Sequence, residues 1–205
     1  MTLNFLARLF LEAPDHAFMV QIKDAHVFDQ WPLTPRTKED ADALEFLRTY
    51  FEGYAETSLA EPASEYMELF IGPANAIPLW ESVWITKDRL LFDGPMFDVR
   101  EQYARYGLVA PNSEHEPDDH IGLEVSFLGG ILGCMADTIE NNDNKSAREH
   151  GAAALNFLNA HLALWAPQFL HAVADRAEAP FYGAVALLCD ATLNHAGKLL
   201  QDTQA

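Results

Sequence analysis

Six apolar residues, Ile121, Val125, Leu128, Leu132, Met135 and Ile139, recur alternately four and three positions apart. That spacing is the period of one helical face, so the second half of the chain is committed to a long amphipathic helix. The run follows Pro117-Asp118-Asp119-His120 directly. A short carboxylate just before a helix accepts hydrogen bonds from its first free N–H groups, so Asp118 is expected to be the N-cap. Asp119 and His120 then fall in the first turn, where the dipole favours the carboxylate and disfavours a protonated imidazole.

The rest of the chain repeats this helical character. Leu3, Leu6, Leu9 and Phe10 predict a short amphipathic helix that closes near Pro14, and 18–28 is compatible with a second. The prolines of Gln30-Trp31-Pro32-Leu33-Thr34-Pro35 mark a loop. Thr37 is a suitable N-cap for a helix carrying Ala41, Leu44, Leu47 and Phe51. Ser64 to Phe70 predicts a helix stopped by a left-handed Gly72 and by Pro73. Residues 74–91 are loop-like and rich in large rings, and 97–106 is helical with Gly107 as its stop. Ala152 to Trp165 is expected to be one helix, with Pro167 interrupting it or starting a further turn. A last helix runs from Pro180, a residue suited to a first helical position, to about Leu200. Alternating β-branched runs are absent. The expectation is an all-α, compact helical domain of two halves, 1–108 and 119–205, joined by a hinge at 109–118.

Charge narrows the function. The chain carries 31 acidic and 13 basic residues, a formal charge of −18. Such a surface repels nucleic acid and anionic lipid and attracts cationic partners. Arg8 and Glu12 interrupt the first apolar stretch, so no secretory leader is predicted. The uncharged run from Val125 to Ala136 is too short to cross a bilayer. Cys134 and Cys189 are the two cysteines, which fits a reduced, cytoplasmic protein, the alternative being a bridge between two packed helices. One further pattern concerns packing. Gly122, Ser126, Gly129, Gly130 and Gly133 form a small-residue stripe, although each interior glycine costs about 0.8–1.0 kcal/mol relative to alanine. Close approach of another backbone, a core helix or a bound peptide, is the expected compensation.

Three blocks carry a resemblance. Tyr66-Met67-Glu68-Leu69-Phe70-Ile71-Gly72-Pro73 is similar to a Leu-Phe-x-Gly-Pro block; Pro78-Leu79-Trp80-Glu81-Ser82-Val83 follows, with Gly94, Val99, Tyr103, Gly107 and Leu108. Pro117-Asp118-Asp119-His120 matches Pro-x-Asp-His, with Glu124 and Phe127 behind it. In this order and spacing the chain resembles the TorD/DmsD/NarJ family of redox-enzyme maturation chaperones. The resemblance implies a cytoplasmic chaperone, not an enzyme and without a cofactor. Its partners would be the twin-arginine signal peptide and the apo form of a molybdopterin oxidoreductase catalytic subunit, whose export it holds back until the cofactor is in place. By position, the implied pocket residues are Leu69, Phe70, Trp80, Gly94, Pro117, Asp119 and His120. The same blocks add Glu81, Ser82, Tyr103, Asp118, Glu124 and Phe127 as expected peptide contacts.

A leader of paired arginines followed by an apolar stretch needs an apolar groove with an acidic rim. Phe70, Trp80, Trp84 and Phe127 are the expected groove, and Glu81, Asp118, Asp119 and Glu124 the expected rim. Burying roughly 400 Å² of apolar surface contributes on the order of 10 kcal/mol before ordering costs. Exposed ion pairs add only about 0.2–1 kcal/mol each. Affinity is therefore expected from the groove and orientation from the carboxylates. Two rival readings are a metal-dependent hydrolase built on Asp119 and His120, with His115, Glu116 and Asp118 as further ligand types, and a generic acidic helical adaptor. The proline-bounded hinge predicts a monomer with some domain-swapped dimer.

Overall fold

A computed structural model describes residues 2–72 and 76–204. Among the described residues ten α-helices are arranged in the order α1 (Thr2–Leu11), α2 (His16–Asp24), α3 (Lys38–Glu52), α4 (Ala60–Tyr66), α5 (Glu81–Ile85), α6 (Gly94–Arg105), α7 (Ile121–Glu140), α8 (Asn144–Ala160), α9 (Leu162–Arg176) and α10 (Pro180–Gln204). The chain is all-α among the described residues, as the periodicity predicts.

Local chemistry explains most of the boundaries. Thr37 caps α3 through the Asp40 N–H, and the Asp40 side chain returns a bond to the Thr37 N–H. Pro180 opens α10. Gly107 ends α6 at φ +67°, a conformation glycine adopts without strain. Gly72 does not act in this way. Its φ is −55°, so the chain leaves in an extended direction, and Met67–Ile71 is wound as a π-helical turn instead. Pro73, the other half of the expected stop, lies outside the described residues.

The expected helix 152–165 is two helices. α8 begins at Asn144, capped by Asp143, and the break falls at His161, where α9 starts. Pro167 lies inside α9. Pro167 is the sixth residue of α9, past the four N–H groups that have no intrahelical partner, so the helix forgoes one internal hydrogen bond at that point.

One continuous core joins elements from both sides of 109–118. α1 packs along α7, and α10 contacts α3, α8 and α9. At its centre Phe10 meets Phe70 and Phe169, and Phe70 meets Tyr182, each pair edge to face. α7 is long and apolar enough by composition to cross a bilayer, but its apolar side is packed against α1 and α8. Cys134 and Cys189 are free thiols, so no disulfide ties the helices.

A buried acid helps hold α10. Glu65 on α4 accepts the Tyr182 N–H at 3.1 Å in the first turn of α10, and its other oxygen has no partner. Burial pushes this carboxyl up to about 7. A raised folded-state value means its contribution is complete below the usual glutamate range and is lost as pH rises through about 7. Glu65→Gln keeps the acceptor and removes the charge. Urea unfolding at about pH 5 and about pH 8 should show the variant gaining on the wild type by on the order of 2–3 kcal/mol across that span. Parallel curves would show that Glu65 does not titrate there.

Candidate functional site

Two of the three sequence blocks are brought side by side. Residues 79–81 and 119–121 run antiparallel, with the Ile121 N–H bonded to the Leu79 carbonyl at 2.8 Å and the Glu81 N–H to the Asp119 carbonyl at 2.9 Å. Trp80 and His120 face each other across this bridge, ring edge to ring face, at 5.7 Å. Both are partly buried.

The four expected rim carboxylates are not a rim. Glu81, Asp119 and Glu124 are fully buried and Asp118 nearly so. A charge taken out of water needs a partner, and here the partners are internal. Arg100 of α6 grips Asp118 with two bonds, at 2.8 and 3.1 Å, and also donates to the Ser113 carbonyl. Asp119 accepts the Ser82 N–H at 2.7 Å. Glu81 receives His161 Nδ1 at 3.0 Å, and Glu124 receives the Trp165 indole N–H at 3.3 Å. Tyr103 closes the group by donating to the Asp118 carbonyl. Burial raises the carboxyls of Asp119 and Glu124 and the Tyr103 phenol.

His120, not Asp118, is the N-cap of α7. Its Nδ1 accepts the Gly122 N–H at 3.0 Å. Asp118 cannot cap because Arg100 holds it. Burial lowers the imidazole to about 4, so it is neutral at pH 7. That suits a helix N-terminus, which disfavours a cation. With Nδ1 accepting, Nε2 carries the ring hydrogen. Of the ligand types expected for a metal, Asp118 is engaged by Arg100, Asp119 by the Ser82 N–H and His120 Nδ1 by the Gly122 N–H. No group of three or more His, Cys, Asp or Glu capable of holding a metal exists among the described residues.

The expected apolar contacts divide. Leu69 and Phe70 are core residues, the Phe70 ring lying between Phe10, Tyr66 and Phe169. Pro117 is buried in the bridge region. Gly94, the first residue of α6, is exposed, with open space around it. Tyr103 and Phe127, whose rings meet at 4.7 Å, form the floor of an open groove of about 290 Å³. Leu123, Ser126 and Gly130 of α7 line it, and Leu108 and Val109 make its wall. These last two are adjacent in sequence and 52% and 81% exposed. Glu114 and Glu116, on the same connection, are exposed acids. Sequence reasoning missed Arg100, His161 and Trp165. The pointer to them was the density of acids at 118–124 beside an apolar helix face, which obliges the fold to bring donors from elsewhere.

The small-residue stripe divides in the same way. An added Cβ at Gly122 would meet Leu11 Cγ at 2.6 Å and the Ala7 carbonyl at 2.8 Å; at Gly129 it would meet Asn4 at 2.5 Å. These two glycines admit α1. Gly130 and Gly133 face open space.

Comparison with known proteins agrees with this architecture. The family model described as nitrate reductase delta subunit matches residues 35–171. The Tat proofreading chaperone DmsD of Salmonella typhi is 32% identical over 197 residues, covering 94% of this chain and 85% of the relative. The chaperone protein TorD of Vibrio atlanticus is 28% identical over 191 residues, covering 90% and 83%. A solved chain from Archaeoglobus fulgidus, described as a candidate redox enzyme maturation protein, shares the fold at 18% identity and a TM-score of 0.50, over 97% of this chain and 91% of that one. Similarity to DmsD along nearly the whole length, with the family match inside it, places this chain in the TorD/DmsD/NarJ family of redox-enzyme maturation chaperones.

Proposed function

We propose that this chain is a cytoplasmic, system-specific chaperone, not an enzyme. It binds the twin-arginine signal peptide of a molybdopterin oxidoreductase catalytic subunit in its apo form and holds back export until the cofactor is inserted. Family membership supports the role. The observation that carries the site is the open groove over Tyr103 and Phe127, walled by exposed Leu108 and Val109. An apolar leader segment laid there, helix in groove, covers side chains that water now reaches. Glu114 and Glu116, exposed further along the connection that forms its wall, supply negative charge for the paired arginines. Trp80 and His120 are placed at the adjoining bridge as further contacts. The buried carboxylates Glu81, Asp118, Asp119 and Glu124 act by fixing the elements around the groove. The expected solution state is a monomer with some dimer exchanged at 109–118.

A synthetic leader with paired arginines tests this by calorimetry. Val109→Glu and Leu108→Glu put charge on the groove wall at exposed positions and should weaken binding at least about tenfold, or 1.4 kcal/mol. Their unfolding midpoints should not move. Ile139→Glu, an exposed change elsewhere on α7, should bind like the wild type. Equal affinity in all four proteins would move the leader away from this groove.

A further inference from the structure

A second opening lies on the far side of α7 from the leader groove. It is an apolar trough of about 350 Å³, lined by Leu3 of α1, Leu132 and Met135 of α7, and Ala196 and Leu199 of α10, with Leu33 of the proline loop beside them. Leu132 follows Leu123 by nine residues, about two and a half helical turns, which puts the two openings on opposite faces of α7. Thr192 and Thr203 also border the trough. Each spends its hydroxyl hydrogen on a carbonyl of its own helix, Leu188 at 2.6 Å and Leu200 at 2.8 Å. Leu199 is half exposed. Water therefore meets a surface of hydrocarbon here, which an apolar chain would cover favourably.

Charge says what kind of chain. A smaller cavity of about 220 Å³ adjoins the trough, and Leu33 and His195 border both. Arg36 and Lys198 line it. In a chain of formal charge −18, Arg8, Lys38, Arg48, Arg100, Arg105 and Lys145 each pair with a carboxylate; among the described residues Arg36 and Lys198 do not. Arg36 donates instead to His195 Nδ1 at 3.2 Å, which leaves the ring hydrogen on Nε2 as a further donor. Two acids border the same cavity, and both are engaged. Asp40 Oδ2 accepts the Arg36 and Thr37 N–H groups at 3.3 and 3.2 Å. Asp190 Oδ2 accepts the Asn194 amide at 2.9 Å, while its Oδ1 is shut off from solvent. Burial raises the Asp190 carboxyl, which reduces the negative charge it sets against an incoming anion.

We propose that this trough binds a free long-chain carboxylate, its alkyl chain along Leu132, Met135 and Leu199 and its head between Arg36 and Lys198. The chain supplies affinity through buried methylenes, and the exposed cations supply orientation.

Decanoate, titrated by calorimetry into the full chain below its micelle concentration, is the probe, and the Met135 methyl resonance reports where it sits. Octanoate, decanoate and dodecanoate should tighten in that order, by about two- to fourfold per methylene. Decylammonium, with the same chain and the opposite head, should bind at least about tenfold more weakly than decanoate. Arg36→Gln with Lys198→Gln should weaken decanoate about three- to tenfold and keep the dependence on chain length. Leu199→Glu, a charge at an exposed position of the wall, should weaken it at least about tenfold with an unchanged unfolding midpoint. Saturating decanoate should leave the affinity for the twin-arginine leader unaltered, so failure of one site does not entail failure of the other. The proposal is overturned if the Met135 methyl does not move, if affinity is flat with chain length, or if decylammonium binds as well as decanoate. Binding to phosphatidylglycerol vesicles without any response to free decanoate would overturn it too, because the surface would then read a bilayer and not a single chain.

Discussion

Gly122→Val is expected to destabilise the chain by about 3 kcal/mol, whereas Gly130→Ala, eight positions on in the same helix, should stabilise it by about 1 kcal/mol. The two glycines cost α7 the same conformational freedom but meet different surroundings. At Gly122 even the first side-chain carbon collides with the backbone of α1, at the Ala7 carbonyl. Backbone cannot rotate aside as a side chain can, so α1 must lift from α7 along its longest contact. At Gly130 a methyl group enters open space and the helix keeps the propensity gain. Gly129→Ala falls between them, because the atom it meets belongs to the Asn4 side chain. Urea unfolding of the three variants checks the order. If Gly122→Val retained wild-type stability, α1 would not be seated where the packing places it. Gly130→Ala also reports on function, since it narrows the groove without weakening the fold: a leader lying on that face of α7 should bind it less well than the wild type.

The same helix marks the limit of what the sequence made legible. Its length and apolar face follow from spacing alone, because a helical period is a local property that each turn repeats. Its first residue does not. Asp118 is a good cap by residue type, yet Arg100, distant in sequence, claims it, and His120 takes the position instead. The sign of a carboxylate's environment is non-local in the same sense. Glu81, Asp119 and Glu124 are legible as acids near rings and were expected at a rim, but burial depends on α9 and His161 arriving from the far half of the chain. Phe70 and Phe127 are both large rings on helical segments, and only packing decides that one is central while the other floors a groove. Gly72 shows that a glycine after a helix does not by itself predict a left-handed stop, since the π-helical turn before it already redirects the chain. The pairing of residues 79–81 with 119–121 by two backbone hydrogen bonds is non-local in the same way, since the spacing of the blocks does not state which of them meet.

Replacing Arg100 by methionine should cost about 3 kcal/mol and loosen the connection 109–118. Asp118 is 1% exposed in side-chain terms, and its carboxylate is held by the one guanidinium that also binds the Ser113 carbonyl. Removing a single partner of a buried ion pair leaves the other charge dry and uncompensated, a loss of about 3–5 kcal/mol. The lower end applies because Arg100 is itself 41% exposed and partly screened. If the loss comes from the stranded charge, adding Asp118→Leu should recover a large part of it, and the double-mutant cycle should give a coupling of at least about 1.5 kcal/mol. If the loss comes from the guanidinium's contact with the Phe97 ring, the second change recovers nothing. The connection provides an independent readout. Glu114 and Glu116 lie exposed within it, so a glutamate-specific protease should nick Arg100→Met faster than the wild type, and the double variant just as fast, because neither retains the bond to Ser113. Equal nicking rates in all three proteins would mean that the connection is ordered by something other than this clasp, and that the wall of the groove does not depend on Arg100.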